Sequence, residues 1–169
     1  MTGGAQLTVT SLVKEPIRDA DVDPLSCRSV LFSGGRLTYE GSGFTGFVGQ
    51  SLEDAGKQHK VLQVVATYAS TQRAKDFAHS QAIWNWKDCQ NTQATVEDGS
   101  DTMQAHIGDF VVDGGIAHIT FTVANGRTCE HAIASDKNAV IDVQVCGAGA
   151  QGGGLTLARI ISQKISTAN

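Results

Sequence analysis

Basic residues are too few and too scattered for a nucleic-acid partner. Lys and Arg total 13 against 17 Asp and Glu, for a net charge of −4, and no basic cluster supplies the phosphate-neutralising surface that such binding needs. Long apolar runs are missing as well: Val61–Ala69 is interrupted by Gln63 and Thr67, well short of the roughly 18 residues a bilayer span takes. Met1-Thr2-Gly3-Gly4 has neither the basic n-region nor the apolar h-region of a secretory signal, as is also expected of a domain excised from a larger exported or anchored protein. Internal repeats, low-complexity linkers and shifts of composition are absent from the interior. What remains is 169 residues, 41% hydrophobic and 18% charged, the profile of one globular domain. Met1–Gln6 is expected to be a disordered start and residues 7–169 the domain.

Catalytic and cofactor motifs are equally scarce. There is no Gly-x-Ser-x-Gly elbow and no His-Glu-x-x-His, and His59, His79, His106, His118 and His131 show no ligand spacing. Asp109 and Asp113 sit in Gly-Asp and Asp-Gly-Gly contexts, where turn chemistry accounts for them better than acid/base work. Gly41–Gly46 and Gly147–Gly152 both read Gly-x-Gly-x-x-Gly, the dinucleotide fingerprint. Only 17 residues follow Gly152, too few for the second parallel strand and the ribose-binding acid. The backbone N–H groups that open the last helix are left as a candidate anion holder. No cofactor and no metal is expected.

What is present is an even set of four cysteines, Cys27, Cys89, Cys129 and Cys146, which suits an oxidising compartment. Arg127–Ser135 and Val140–Cys146 read as two strands around the polar turn Asp136–Ala139. Pairing residues whose numbers sum to 275 puts Cys129 opposite Cys146, Ala132 opposite Val143, Ala134 opposite Ile141 and His131 opposite Gln144. Facing residues of an antiparallel pair are close enough to be bridged. Cys27 then joins Cys89 by elimination. The alternatives weighed are four free thiols in the cytosol and a metal site on Cys129, His131 and Cys146, which lacks the tight Cys-x-x-Cys spacing of structural zinc.

Leu7–Val13 alternates as a half-buried strand, Asp19–Asp23 reads as a solvated connector, and Pro24 opens a short helical turn carrying Cys27, with Val30 and Leu31 inward. Arg36–Gly49 reads as a strand followed by a kinked strand. His59–Ala69 is a central strand, and Ser70 or Thr71 caps a helix over Gln72–Trp86. Turn signals at Asp98-Gly99, Gly108-Asp109, Asp113-Gly114-Gly115 and Asn125-Gly126 divide a series of strands. Leu155–Ile165 is a terminal amphipathic helix. The fold class is α+β, an antiparallel sheet with helices packed on one face and two disulfides.

On the central helix Phe77 and Trp84, seven positions apart, share a face with Ala74, most simply a core stripe. Trp84 and Trp86 cannot point the same way, so one of them is expected at the sheet edge beside the glycine-rich Tyr39–Gly49 segment. The candidate ligand cleft is therefore Tyr39, Phe44, Thr45, Phe47, Tyr68 and Trp84. Trp86, Asn138 and Asp142 are assigned to structure.

The series Asp23-Pro24-x-x-Cys27, Tyr39-x-Gly-Ser-Gly-Phe-Thr45, Trp86-x-x-Cys89, Cys129-x-x-Ala132 and Asn138-x-x-x-Asp142-Val143-x-x-Cys146-Gly147 resembles the PknH-like extracellular sensor domain. This family occurs on mycobacterial receptor serine/threonine kinases and as freestanding lipoproteins. The resemblance implies an α+β domain with the same two disulfides, a ligand cleft and no catalysis of its own. It places the chain outside the cytoplasm, held to the membrane only through an anchor in the parent protein, with a small molecule or cell-envelope component as ligand and homodimerisation as one way to report it. His131 departs from the arginine or similar residue common at that position. The rival expectation is a protein-interaction or structural envelope module with no small ligand.

Overall fold

The computed structural model describes residues 6–168. Of the expected disordered start only Gln6 falls among them. The strands are β1 (Leu7–Val13), β2 (Asp21–Asp23), β3 (Phe44–Asp54), β4 (Lys60–Tyr68), β5 (Gln93–Asp98), β6 (Asp101–Asp113), β7 (Ile116–Val123), β8 (Thr128–Asp136) and β9 (Ala139–Cys146). They pair antiparallel in one sheet, ordered β1-β3-β4-β9-β8-β7-β6-β5-β2. The hairpin β8–β9 lies near the middle, in the register read from the cysteines: Cys129 faces Cys146, Ala132 faces Val143 and Asp136 faces Ala139.

The helices are α1 (Arg28–Leu31), α2 (Arg36–Tyr39), α3 (Thr71–His79), α4 (Lys87–Cys89) and α5 (Gly153–Thr167). A π-helical stretch, Ser80–Trp86, joins α3 to α4. Ser70 caps α3, its Oγ accepting from Arg73 N at 3.2 Å. The α+β class is as expected, but the helices occupy both faces of the sheet. Cys129, Ile133 and Val140 pack with Phe77, Ala78 and Trp86 in one core. Ala132, Ala134, Ile141 and Val143 pack under Ala158, Leu155 and Ile161 of α5 in another. The physical reason is that β8 and β9 are apolar at odd and even positions alike, so both faces must be covered.

Three local expectations change. Arg36–Tyr39 is a helical turn rather than a strand, because the Asp19 carboxylate accepts from Leu37 N at 2.7 Å and so answers the free donors that begin α2. Asp21–Asp23 is a short edge strand on β5, with Val22 buried, and not a solvated connector. Gly108-Asp109 is a bulge inside β6 rather than a turn. Asn91 and Gln90 hold it, Asn91 N donating to Gly108 O at 3.1 Å and Asn91 Nδ2 to Asp109 Oδ1 at 2.9 Å.

Candidate functional site

The two sulfur bridges are Cys27–Cys89 and Cys129–Cys146. With both sulfurs of the second pair bonded to each other, the metal alternative on Cys129, His131 and Cys146 falls away. His131 is engaged elsewhere, in a buried polar cluster that ties the sheet to the segment from α1 to α2.

Asp142 of β9 is the hub of that cluster. Its Oδ1 accepts from Ser33 Oγ at 2.5 Å and from His131 Nε2 at 2.6 Å. Its Oδ2 accepts from Gly34 N and from Tyr39 Oη, both at 2.9 Å. His131 Nδ1 donates to Val30 O at 2.7 Å, so both ring nitrogens are engaged, one by a main-chain carbonyl and the other by the carboxylate. His131 and Asp142 are 1% and 2% exposed. Burial by itself would raise the Asp142 carboxyl, yet the His131 charge and the bonds from His131, Ser33 and Gly34 outweigh it and hold the group below the ordinary carboxylate value. The Trp86 ring lies 4.5 Å from the imidazole, centroid to centroid, tilted at 53° in direct ring–ring contact. Gly34 needs its positive φ of 65° to aim its N–H at the carboxylate.

The expected cleft residues are placed differently from the sequence reading. Tyr39 and Tyr68 are fully buried, with Phe77 4.8 Å and 5.5 Å from them, and Phe44 and Phe47 pack against Tyr39 at 6.3 Å and 5.2 Å. Burial pushes the Tyr39 hydroxyl well up, and the Tyr68 hydroxyl up to about 12. These four rings come together as core, because each tyrosine hydroxyl finds a partner, buried Asp142 for Tyr39 and half-buried Ser42 for Tyr68. Thr45 is exposed and donates to Thr67 O. Trp84 stands 66% exposed while Trp86 is fully buried. The i→i+5 bonding of the π-helical stretch rotates the helix face between Phe77 and Trp84, which ends the predicted stripe. Asn138 joins the β8–β9 turn to β4, its Nδ2 donating to Tyr68 O at 3.0 Å.

The anion position at the start of α5 is already filled from within. Leu155 N donates to Glu130 Oε2 at 3.1 Å, and His118 Nδ1 meets Glu130 Oε1 at 3.1 Å. The charge at this helix N-terminus is answered by a buried side chain. Asp113, the other weighed carboxylate, pairs with Arg159 at 3.3 Å.

One open concavity is a cleft of about 590 Å³ across the sheet face that carries α1 and α2. Adjacent rows of the register make its floor. One is Ser11, Ser51, Leu62 and Gln144; the next is Lys60, Cys146, Cys129 and Phe121. Ile17–Asp19 and Leu31–Ser33 with Gly35 form the opposing wall. Ser33 and Gly34 hang that wall on Asp142, so the cleft and the buried cluster share a strap of chain. Sequence reasoning missed this cleft because its lining comes from eight strands, the end of α1 and three connecting segments; the one local signal was the Cys129/Cys146 register, which places the floor.

The geometry is that of a disulfide-stapled α+β sheet with an open cleft, its buried acid and base locked in mutual hydrogen bonds. The model of the PknH-like extracellular domain matches residues 2–165, and the chain belongs to that family. The serine/threonine-protein kinase PknH of Mycobacterium bovis (strain AF2122/97) is 28% identical over 144 residues, covering 79% of this chain and 24% of the kinase. PknH of Mycobacterium tuberculosis H37Rv is 28% identical over the same length, covering 79% of this chain and 22% of the kinase. The chain thus spans about a quarter of the length of these curated relatives. The crystal structure of the extracellular domain of PknH from Mycobacterium tuberculosis superposes with a TM-score of 0.93 at 22% identity, over 98% of this chain and 88% of that one, which shows a shared fold. Membership of this family places the chain outside the cytoplasm, on the sensor side of such proteins and not in their catalytic kinase domain. That is also where disulfides persist.

Proposed function

We propose that this domain binds a small molecule or cell-envelope component in the cleft over the Cys129–Cys146 bridge and reports occupancy to a membrane-anchored parent, a receptor kinase or a lipoprotein. One observation carries the reading: the cleft wall Leu31–Gly35 is fastened to the sheet through Ser33, Gly34 and Val30, all on the His131–Asp142 pair. A ligand pressing on Leu31, Phe32 or Ser33 therefore acts on that pair and on Trp86 stacked against it. Occupancy would favour one position of the strap, a population shift passed to the parent as a change of domain shape or of dimerisation. The test is to add cell-envelope extracts to the domain and follow Trp86 fluorescence, in a Trp84→Phe background, with amide exchange of residues 28–39. A saturable change in both is expected; silence in both overturns the reading.

A second reading, an interaction or structural module without a small ligand, is favoured by β1. This edge strand, Leu-Thr-Val-Thr-Ser-Leu-Val, carries no charge and leaves Val9 and Leu12 52% and 69% exposed. Such an unprotected edge suits strand addition by a partner. Cross-linking from β1 that captures a specific envelope protein, with the cleft silent, would favour it.

A further inference from the structure

We propose, resting on the cleft as ligand site, that its ligand is an amphipathic anion with a single extended hydrocarbon chain. The shape comes first. The lining draws on every strand from β1 across to β5, a path of some 30 Å at ~4.8 Å per strand step. Spread over that length, 590 Å³ makes a long open trough, a shape that suits one extended chain lying across the strands.

The lining is unequal along this path. Toward β5 it is apolar, with Phe121, Val123, Met103 and Val96 on the floor and Leu31 and Phe32 above. Cations gather on one rim. Lys60 opens β4 opposite Cys146, and Arg127 immediately precedes β8; both strands begin at the same end of the sheet, and both side chains line the cleft. Arg18, on the opposing wall, lies toward the β5 side instead, its guanidinium 3.8 Å from Asp98 at the end of β5. The carboxylate in the lining, Asp19, is turned to the start of α2, where it accepts from Leu37 N. Glu53 and Asp98, which pair with Lys60 and Arg18 at 3.7 Å and 3.8 Å, lie outside the lining, and exposed pairs of this kind exchange readily for a better partner. Toward β5 the floor runs five strand steps from Lys60 and three from Arg127, roughly 14–24 Å, the reach of a long acyl chain. A carboxylate or phosphate head at the rim with its chain toward Met103 and Val96 satisfies both halves, within a chain whose net charge is itself −4.

The experiment is calorimetric titration of the folded domain, below micellar concentrations, with tetradecanoate, monotetradecyl phosphate, 1-tetradecanoylglycerol, tetradecyltrimethylammonium and inorganic phosphate. The two anionic chains should bind at least about tenfold more tightly than the neutral and cationic ones. The double variant Lys60→Gln/Arg127→Gln, at exposed and half-buried positions, should erase that preference while leaving the affinity for 1-tetradecanoylglycerol and the melting temperature unchanged. A preference among the two anions identifies the head group. Equal binding of all four chains overturns the anionic assignment and leaves the cleft as ligand site. Inorganic phosphate binding as tightly as the alkyl phosphate overturns the chain. If no chain binds while envelope extracts still shift the amide signals of Leu62 and Phe121, the ligand class is overturned and the cleft reading survives. Silence to extracts as well overturns both.

Discussion

Asp142 gathers four hydrogen bonds on two oxygens, from Ser33, Gly34, Tyr39 and His131. A buried carboxylate without partners would protonate or unfold the site, and here every acceptor position is used. Asp142→Asn keeps the volume but sets an amide N–H₂ against the Gly34 N–H or the His131 ring. It should cost about 3–5 kcal/mol, read as a fall in the urea midpoint. The folded-state value of this carboxyl is depressed, so its contribution to stability is complete above the unfolded carboxylate value of about 4 and is lost as pH falls through the folded value. Wild-type stability measured from pH 6 down to pH 2 should therefore drop more steeply than that of Asp142→Asn; parallel curves would assign the acid sensitivity to another group.

At the scale of elements, the continuous helical run from Thr71 to Cys89 decides which tryptophan is structural. The π-helical stretch turns Trp84 outward and sets Trp86 inward on His131. Trp86→Ala should destabilise by about 3–5 kcal/mol through loss of a fully buried ring, and Trp84→Ala by no more than about 0.5 kcal/mol, compared by chemical denaturation. The helix itself, its Ser70 cap and the hairpin register were legible in the sequence, because capping and alternation are properties of neighbouring residues. The π stretch was not, since it arises where Trp86 must reach His131 and Cys89 must reach Cys27. The helical turn at Arg36–Tyr39 was hidden for a like reason: its capping carboxylate, Asp19, lies 17 positions earlier in the chain.

For the whole molecule the two disulfides divide the work. Cys27–Cys89 closes 62 positions and joins the chain before α1 to the end of α4, so removing it as a Ser/Ser pair should cost about 4 kcal/mol. Cys129–Cys146 closes 17 positions and should cost about 3 kcal/mol on the same chain-entropy scale. Thermal unfolding of each variant, against the oxidised domain, checks the order. The sequence by itself determined the cysteine pairing, the strand register around it, the α+β class and the family resemblance, because these follow from local periodicity and spacing. Only the tertiary structure decided that helices cover both faces, that Tyr39 and Tyr68 are buried in the core, and that an open cleft lies over the Cys129–Cys146 bridge. Those outcomes depend on which buried hydroxyls and charges find partners from distant parts of the chain, and desolvation selects among such contacts only once the sheet has closed.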